Sequence, residues 1–192
     1  MNDFTFFFKL GWQHIISWDA LDHLLFIAAL TAIYLVKNWK QVAILVTAFT
    51  IGHSVTLALS VYDTVRVSSK WVEFLIPLTI VITAFLNLLH KDYSKASLRM
   101  NYFLAFFFGL IHGLGYANTI RFMLMKGQQI AMPLFGFNVG LEVGQLLVVT
   151  TILSASYLIV NKLSLNRKWW VWCLSLIAFC WASYLAINRW PL

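Results

Sequence analysis

The sequence predicts an all-α integral membrane protein, a six-transmembrane-helix bundle preceded by a short N-terminal interfacial segment. Three observations carry that prediction. First, of 192 residues 61% are hydrophobic and only 11% charged, with a mean hydropathy of +0.79. Soluble domains carry about 25% charged residues, and a water-soluble core of this size cannot hide so much apolar surface, so the bilayer is the main solvent. Second, the apolar residues fall in runs of the length a crossing needs, about 20 residues. Third, those runs are flanked by tryptophan, lysine and arginine, the residue types of the membrane–water interface.

Taken in order, the stretch 4–17 is aromatic and apolar but too short to span, so it is expected to lie at the interface or dip partway in. Spans are expected at 20–36, 41–61, 71–89, 102–120, 133–160 and 169–188, together one domain over 1–192. Asp19 and Glu73 are read as helix-start residues of the first and third spans. The gaps between spans orient the chain. Lys37, Lys40, Lys91, Lys95, Arg99, Lys162, Arg167 and Lys168 fall on one side, and Lys9, Arg66, Lys70, Arg121, Lys126 and Arg189 on the other. The positive-inside rule then places the first set in the cytoplasm and both termini outside; a bacterial inner membrane is the expected location. Trp12, Trp18, Trp39, Trp71, Trp169, Trp170 and Trp190 are expected to be interfacial anchors. The start lacks a basic n-region and a small-residue cleavage site, so the first span is expected to act as an uncleaved anchor.

The net charge of +7 belongs to these short basic gaps. No long basic segment is available to track a phosphate backbone, so nucleic acid is not an expected partner. Cys173 and Cys180, seven residues apart in the last run, read as small packing residues. Internal repeats and low-complexity segments are not seen.

The chemistry lies in polar residues placed where they are expensive. A central Asp in a membrane helix costs about 2.5–3.5 kcal/mol on insertion scales, so such a residue must find a partner or mark a pathway. Asp22 and His23 open the first span in HIISWDALDHLLF, with His14 nine residues earlier than His23. His53 lies in FTIGHSVTLAL, beside Ser54 and near Thr56. His112 lies in FFFGLIHGLGYAN. Asn138, Glu142 and Gln145, spaced i, i+4, i+7, form one stripe of the fifth span. Gly136, Gly140 and Gly144 form a second stripe pointing away from it, suited to close packing against a neighbouring helix. His90, beside Lys91, reads as interfacial.

Imidazole nitrogens and carboxylate oxygens without thiolate suit a divalent transition metal ion such as Ni, Co, Zn or Fe. Asp22, His23, His53, His112 and Glu142 are therefore the expected site or path, with His14 at its outer entry. His23, His53, His112 and Glu142 are expected to meet in one interior region. Ser54, Thr56, Asn138 and Gln145 are the expected orienting groups around the ligands. Metal ion and lipid bilayer are the expected partners, and a homo-oligomer stays open.

At these residues the chain resembles the HupE/UreJ family, small membrane proteins linked to hydrogenase and urease accessory functions, several of them regarded as nickel permeases. The resemblance covers about 11–150 and rests on HIISWDALDHLLF, FTIGHSVTLAL, FGLIHGLGYA and FNVGLEVGQ. It implies a six-helix bundle that transports a divalent transition metal. It carries the family's histidine–aspartate motif to His14, Asp22 and His23, and its histidine–glycine motif to His112 and Gly113. Two departures stand out. The nickel-permease members space the first motif as H-x5-D-H, whereas seven residues separate His14 from Asp22 here. They also have a proline soon after the histidine–glycine pair, where this chain reads HGLGYAN. The residues also admit a membrane-embedded metal-dependent hydrolase, with a carboxylate as general base. They admit as well an accessory membrane subunit with a structural polar or metal core.

Overall fold

The computed structural model describes residues 3–90, 95–123 and 129–191, and of Asp19 and residues 95–100 the backbone alone. The loop cations Lys91, Lys95, Arg99 and Lys126 and the proposed cap Asp19 thus lie outside the described side chains. Every described element is helical. The helices are α1 (Asp3–Ile16), α2 (Leu21–Thr31), α3 (Trp39–Val61), α4 (Ser69–Leu89), α5 (Lys95–Met123), α6 (Ala131–Ser156) and α7 (Arg167–Asn188). Short 3-10 turns occupy Trp18–Ala20 and Val36–Asn38, and a π-helical stretch, Tyr157–Lys162, extends α6. Asn166 caps α7, its side chain accepting from the Lys168 N–H at 2.9 Å.

Five stretches are long and apolar enough to cross a bilayer: Val36–Val61, Ser69–Leu89, Asn101–Met123, Ala131–Lys162 and Arg167–Asn188. The span expected at 20–36 is not among them. Its helix, α2, has 11 residues, about 16 Å or half the hydrocarbon thickness. The apolar run continues to Val36, but Leu35 is extended and the chain turns at Val36–Asn38 into α3. Nor does the 4–17 stretch lie across the helix ends as an interfacial segment would. Phe4, Phe8 and Ile15 pack under Gly136, Gly140 and Gly144, so α1 runs alongside α6 and in the same direction. The contact is reciprocal, since a Cβ on Gly11 would overlap the backbone of Phe137 and Leu141. With no apolar driving force between helices in lipid, such backbone contact is what holds the pair.

The bundle is built of close pairs around the short α2. α1 pairs with α6, α3 with α5 and α4 with α7, while α2 touches α4, α6 and α7. The α3–α5 pair is also glycine-mediated: Gly52 faces Phe106, Gly109 faces Phe49, and Gly113 faces the His53 carbonyl and the Thr56 hydroxyl. The α2–α4–α7 junction is polar. Asn87 donates to the Ala29 carbonyl at 2.6 Å and to the Ser175 hydroxyl at 3.3 Å. Trp18, Trp39, Trp71, Trp169 and Trp190 are exposed on the protein surface. Cys173 and Cys180 are exposed too, so they face outward and do not pack inside.

Candidate metal centre

Three helices deliver the centre. His14 lies in the last turn of α1, His23 in the first turn of α2 and His53 in the middle of α3. One ring nitrogen from each falls within 4.8 Å of the others. The break between α1 and α2 makes this possible, because residues nine apart on a continuous helix would be about 13 Å apart along its axis. Here the His14 and His23 rings are 4.6 Å apart. Gly113 brings α5 against the His53 backbone, and so its neighbour His112 into the same region.

His112 joins the group through a hydrogen-bond relay. The Thr79 hydroxyl donates to the Ile76 carbonyl at 2.7 Å, so its oxygen accepts from His112 Nε2 at 3.2 Å. His112 Nδ1 must then be the unprotonated nitrogen, and it accepts from His23 Nε2 at 3.4 Å. The protons are assigned from this network. His23 Nδ1 sits 3.3 Å from Asp22 Oδ1, a separation at which the two atoms either share a proton as an ion pair or face one cation as neighbouring ligands: ligand atoms at about 2.0–2.1 Å in a tetrahedral site lie about 3.3 Å apart. The other carboxylate oxygen, Asp22 Oδ2, meets Arg189 at 3.3 Å.

The group is buried and incompletely paired. His23, His53 and His112 are 4%, 0% and 1% exposed. Among the described residues, His14 Nε2 and the His53 ring nitrogens make no well-formed hydrogen bond; Asn138 lies within reach of His53, and Asp22 is the partner of His23 Nδ1. Buried polar atoms are nearly always paired, and each orphan costs about 1–3 kcal/mol, so a cluster of unpaired imidazole nitrogens suits a cation. The fit needs the three nitrogens, now within 4.8 Å of one another, to close to separations of about 3.3 Å. Aromatic rings fix the imidazoles. Phe137 stacks on His53 at 6.0 Å and 22°, and Tyr116 lies against His14 at 4.1 Å. A cavity of about 650 Å³ reaches the group, lined by His14, Asp22, His23, Glu73, His112 and Arg189 among others.

Glu142 does not join the histidines. It accepts from Thr47 at 2.7 Å, and Gln145 accepts from Thr50 at 2.9 Å. Both side chains read the α3 hydroxyls, and Thr47 lies six residues, about 9 Å, back along α3 from His53. The helical stripe predicts correctly which α6 residues share a face but not which level of α3 they meet. Asn138 donates to its own helix at Leu134, and its side chain also lies within reach of His53. Ser54 and Thr56 likewise bond backbone carbonyls of α3, at Thr50 and Gly52, and orient no imidazole. His90 sits at the end of α4 against the Leu86 carbonyl. The site residues that sequence reasoning missed are Thr79, Glu73, Tyr116 and Arg189. Thr79 carried a signal, since Thr79, Thr83 and Asn87 repeat every four residues along α4. Arg189 follows the last apolar run and carried none beyond a flanking charge.

A helical membrane protein with a buried histidine centre at the end of an open cavity is the class these features define. The chain belongs to the HupE/UreJ family: the profile described as HupE / UreJ protein matches residues 1–189. No curated protein and no solved structure matches the chain.

Proposed function

We propose that the protein is a permease for a divalent transition-metal ion of the nickel class, which binds as cargo at His14, His23, His53 and Asp22. The observation that carries this reading is the set of imidazole nitrogens from three helices, gathered at the inner end of a cavity. Family membership adds a precedent of metal handling. Neutral imidazole with one carboxylate favours Ni, Co, Zn or Fe over Mg or Ca. His112 acts through His23, as the group that fixes its tautomer. Glu142 serves the α3–α6 contact, and Gly136, Gly140 and Gly144 seat α1.

In this reading α1 and α2 together make one discontinuous crossing, broken at the metal centre. A helix interrupted at a binding site is a recurrent device of transporters. With the five long helices this makes six crossings, both termini outside and the cavity facing outward, in a bacterial inner membrane. The cavity also favours a second reading, a metal-dependent hydrolase, because three histidines leave a position for water and Glu73 lines the same space. Proteoliposomes separate the two. The permease takes up Ni(II) or Zn(II), and His23→Ala or His53→Ala abolishes uptake. A protein that binds the ion but moves none across the membrane overturns the transport reading.

A further inference from the structure

The cavity ends at the histidines, and a carried ion must leave on the other side. Two buried polar tracks lead away from the centre. On the α3–α6 contact, Thr50 donates to Gln145 at 2.9 Å, and the next pair, Thr47 and Glu142, leads to the protein surface: Thr47 is exposed. On α4, Thr79, Thr83 and Asn87 occupy one face at i, i+4, i+8 and are 2%, 7% and 7% exposed. This second track starts in hydrogen-bond contact with His112. It ends beside Asn101, which bonds Tyr34 Oη at 3.2 Å where the α2–α3 connection meets the start of α5. It therefore runs the length of the bundle that the cavity does not.

We infer that the Thr79–Thr83–Asn87 face of α4 is the inner half of the permeation path, the release route for a divalent transition-metal ion from the histidine centre. This rests on the permease reading. The chemistry suits a passing cation. Thr79 and Thr83 donate their hydroxyl protons to helix carbonyls at 2.7 and 2.8 Å, which turns oxygen lone pairs toward the track. Hard, weakly held oxygen ligands beyond a nitrogen site allow an ion to leave. The path is closed here: the void between Thr83, Asn87, Asn101 and Leu30 measures about 10 Å³, room for one water at most. Asn87, which ties α4 to α2 and α7, is the contact that must give for it to open.

The test uses the full-length protein with Ni(II), measuring uptake into proteoliposomes and Kd in detergent. Thr83→Ile fills the void and is expected to lower uptake at least tenfold with Kd within twofold of the parent. Thr83→Ser keeps the hydroxyl and is expected to retain uptake. Thr50→Val, on the rival track, is expected to leave uptake within threefold. Should Thr83→Ile not be recovered as monodisperse protein, Thr83→Cys in a Cys173→Ser, Cys180→Ser background replaces it. A water-soluble thiol reagent is then expected to label it faster during Ni(II) turnover than without metal. Uptake by Thr83→Ile within twofold of the parent, labelling indifferent to turnover, or loss of uptake confined to Thr50→Val overturns the α4 route and leaves the permease reading standing. A parent protein that carries no ion overturns that reading and this route with it.

Discussion

Replacing Gly140 by alanine tests whether the metal centre depends on the docking of α1. A Cβ at Gly140 would fall inside the van der Waals envelope of the Phe8 carbonyl and 3.0 Å from the Trp12 nitrogen. The neighbours are helix backbone, which cannot rotate away as a side chain could. Restoring contact at ordinary separations of about 3.5 Å moves α1 outward by about 1.5 Å. Overpacking of this kind costs about 1–3 kcal/mol. His14 rides on the displaced helix, and the displacement adds to the inward movement its ring nitrogen already needs to reach an ion, so the His14 bond is weakened or lost. The expected outcome is a Kd for Ni(II) weakened at least tenfold, about 1.4 kcal/mol, together with a lowered unfolding temperature in detergent. Competition against a chromophoric chelator and a thermal melt measure the two. The flanking positions calibrate the effect. At Gly144 the nearest atom would be Ile15 Cβ at 3.1 Å, and at Gly136 the carbonyl of Phe4 at 2.7 Å, in the first turn of α1. Alanine there is expected to shift Kd less than threefold. A Gly140→Ala protein with parental Kd and melting temperature would refute the argument that backbone contact with α6 positions His14.

Further outcomes follow from the same geometry. Thr79→Val keeps the shape but removes the acceptor that sets the His112 tautomer, so Ni(II) affinity is expected to fall about 10–100-fold, while Thr79→Ser restores it; imidazole nitrogen NMR would report the tautomer directly. Glu142→Gln is expected to leave Kd within twofold, as measured by the same competition titration, because Thr47 and not the histidine group is its partner. Asp22→Asn is expected to weaken binding at least tenfold, by removing one ligand charge and the anchor of Arg189. A periplasm-dependent reporter fused after Leu192 is expected to be active, and cytoplasmic activity there would overturn six crossings with both termini outside.

Much of this architecture was legible in the sequence, and the places where it was not have physical causes. The five long helices announce themselves by apolar length, and their bounds differ from the expected spans by a few residues. The span expected at 20–36 is not a single long helix because the chain breaks at residues 17–20 and turns again after Thr31, leaving α1 and α2 with 14 and 11 residues, each below the length a crossing requires. The histidines stood out because imidazole in an apolar run is costly. Glu142 stood out for the same reason but belongs elsewhere, since periodicity gives the face of a helix and not the height at which a neighbour meets it. The glycine stripe had a clear direction but no named neighbour, and that neighbour proved to be α1. The relay through Thr79 was hidden because threonine commonly bonds its own helix, and only the approach of α5 gives its oxygen a second partner.

The central claim is that a metal ion is held by imidazoles drawn from α1, α2 and α3 with the Asp22 carboxylate. X-ray absorption spectroscopy of the protein loaded with one equivalent of Ni(II) or Zn(II) tests it most directly. The account predicts a first shell of nitrogen and oxygen at about 2.0–2.2 Å, with multiple-scattering features of three imidazoles and no sulfur. His53→Ala is expected to remove one imidazole from that signal. A loaded protein whose metal shows no imidazole scattering, or a spectrum unchanged by His53→Ala, would contradict it.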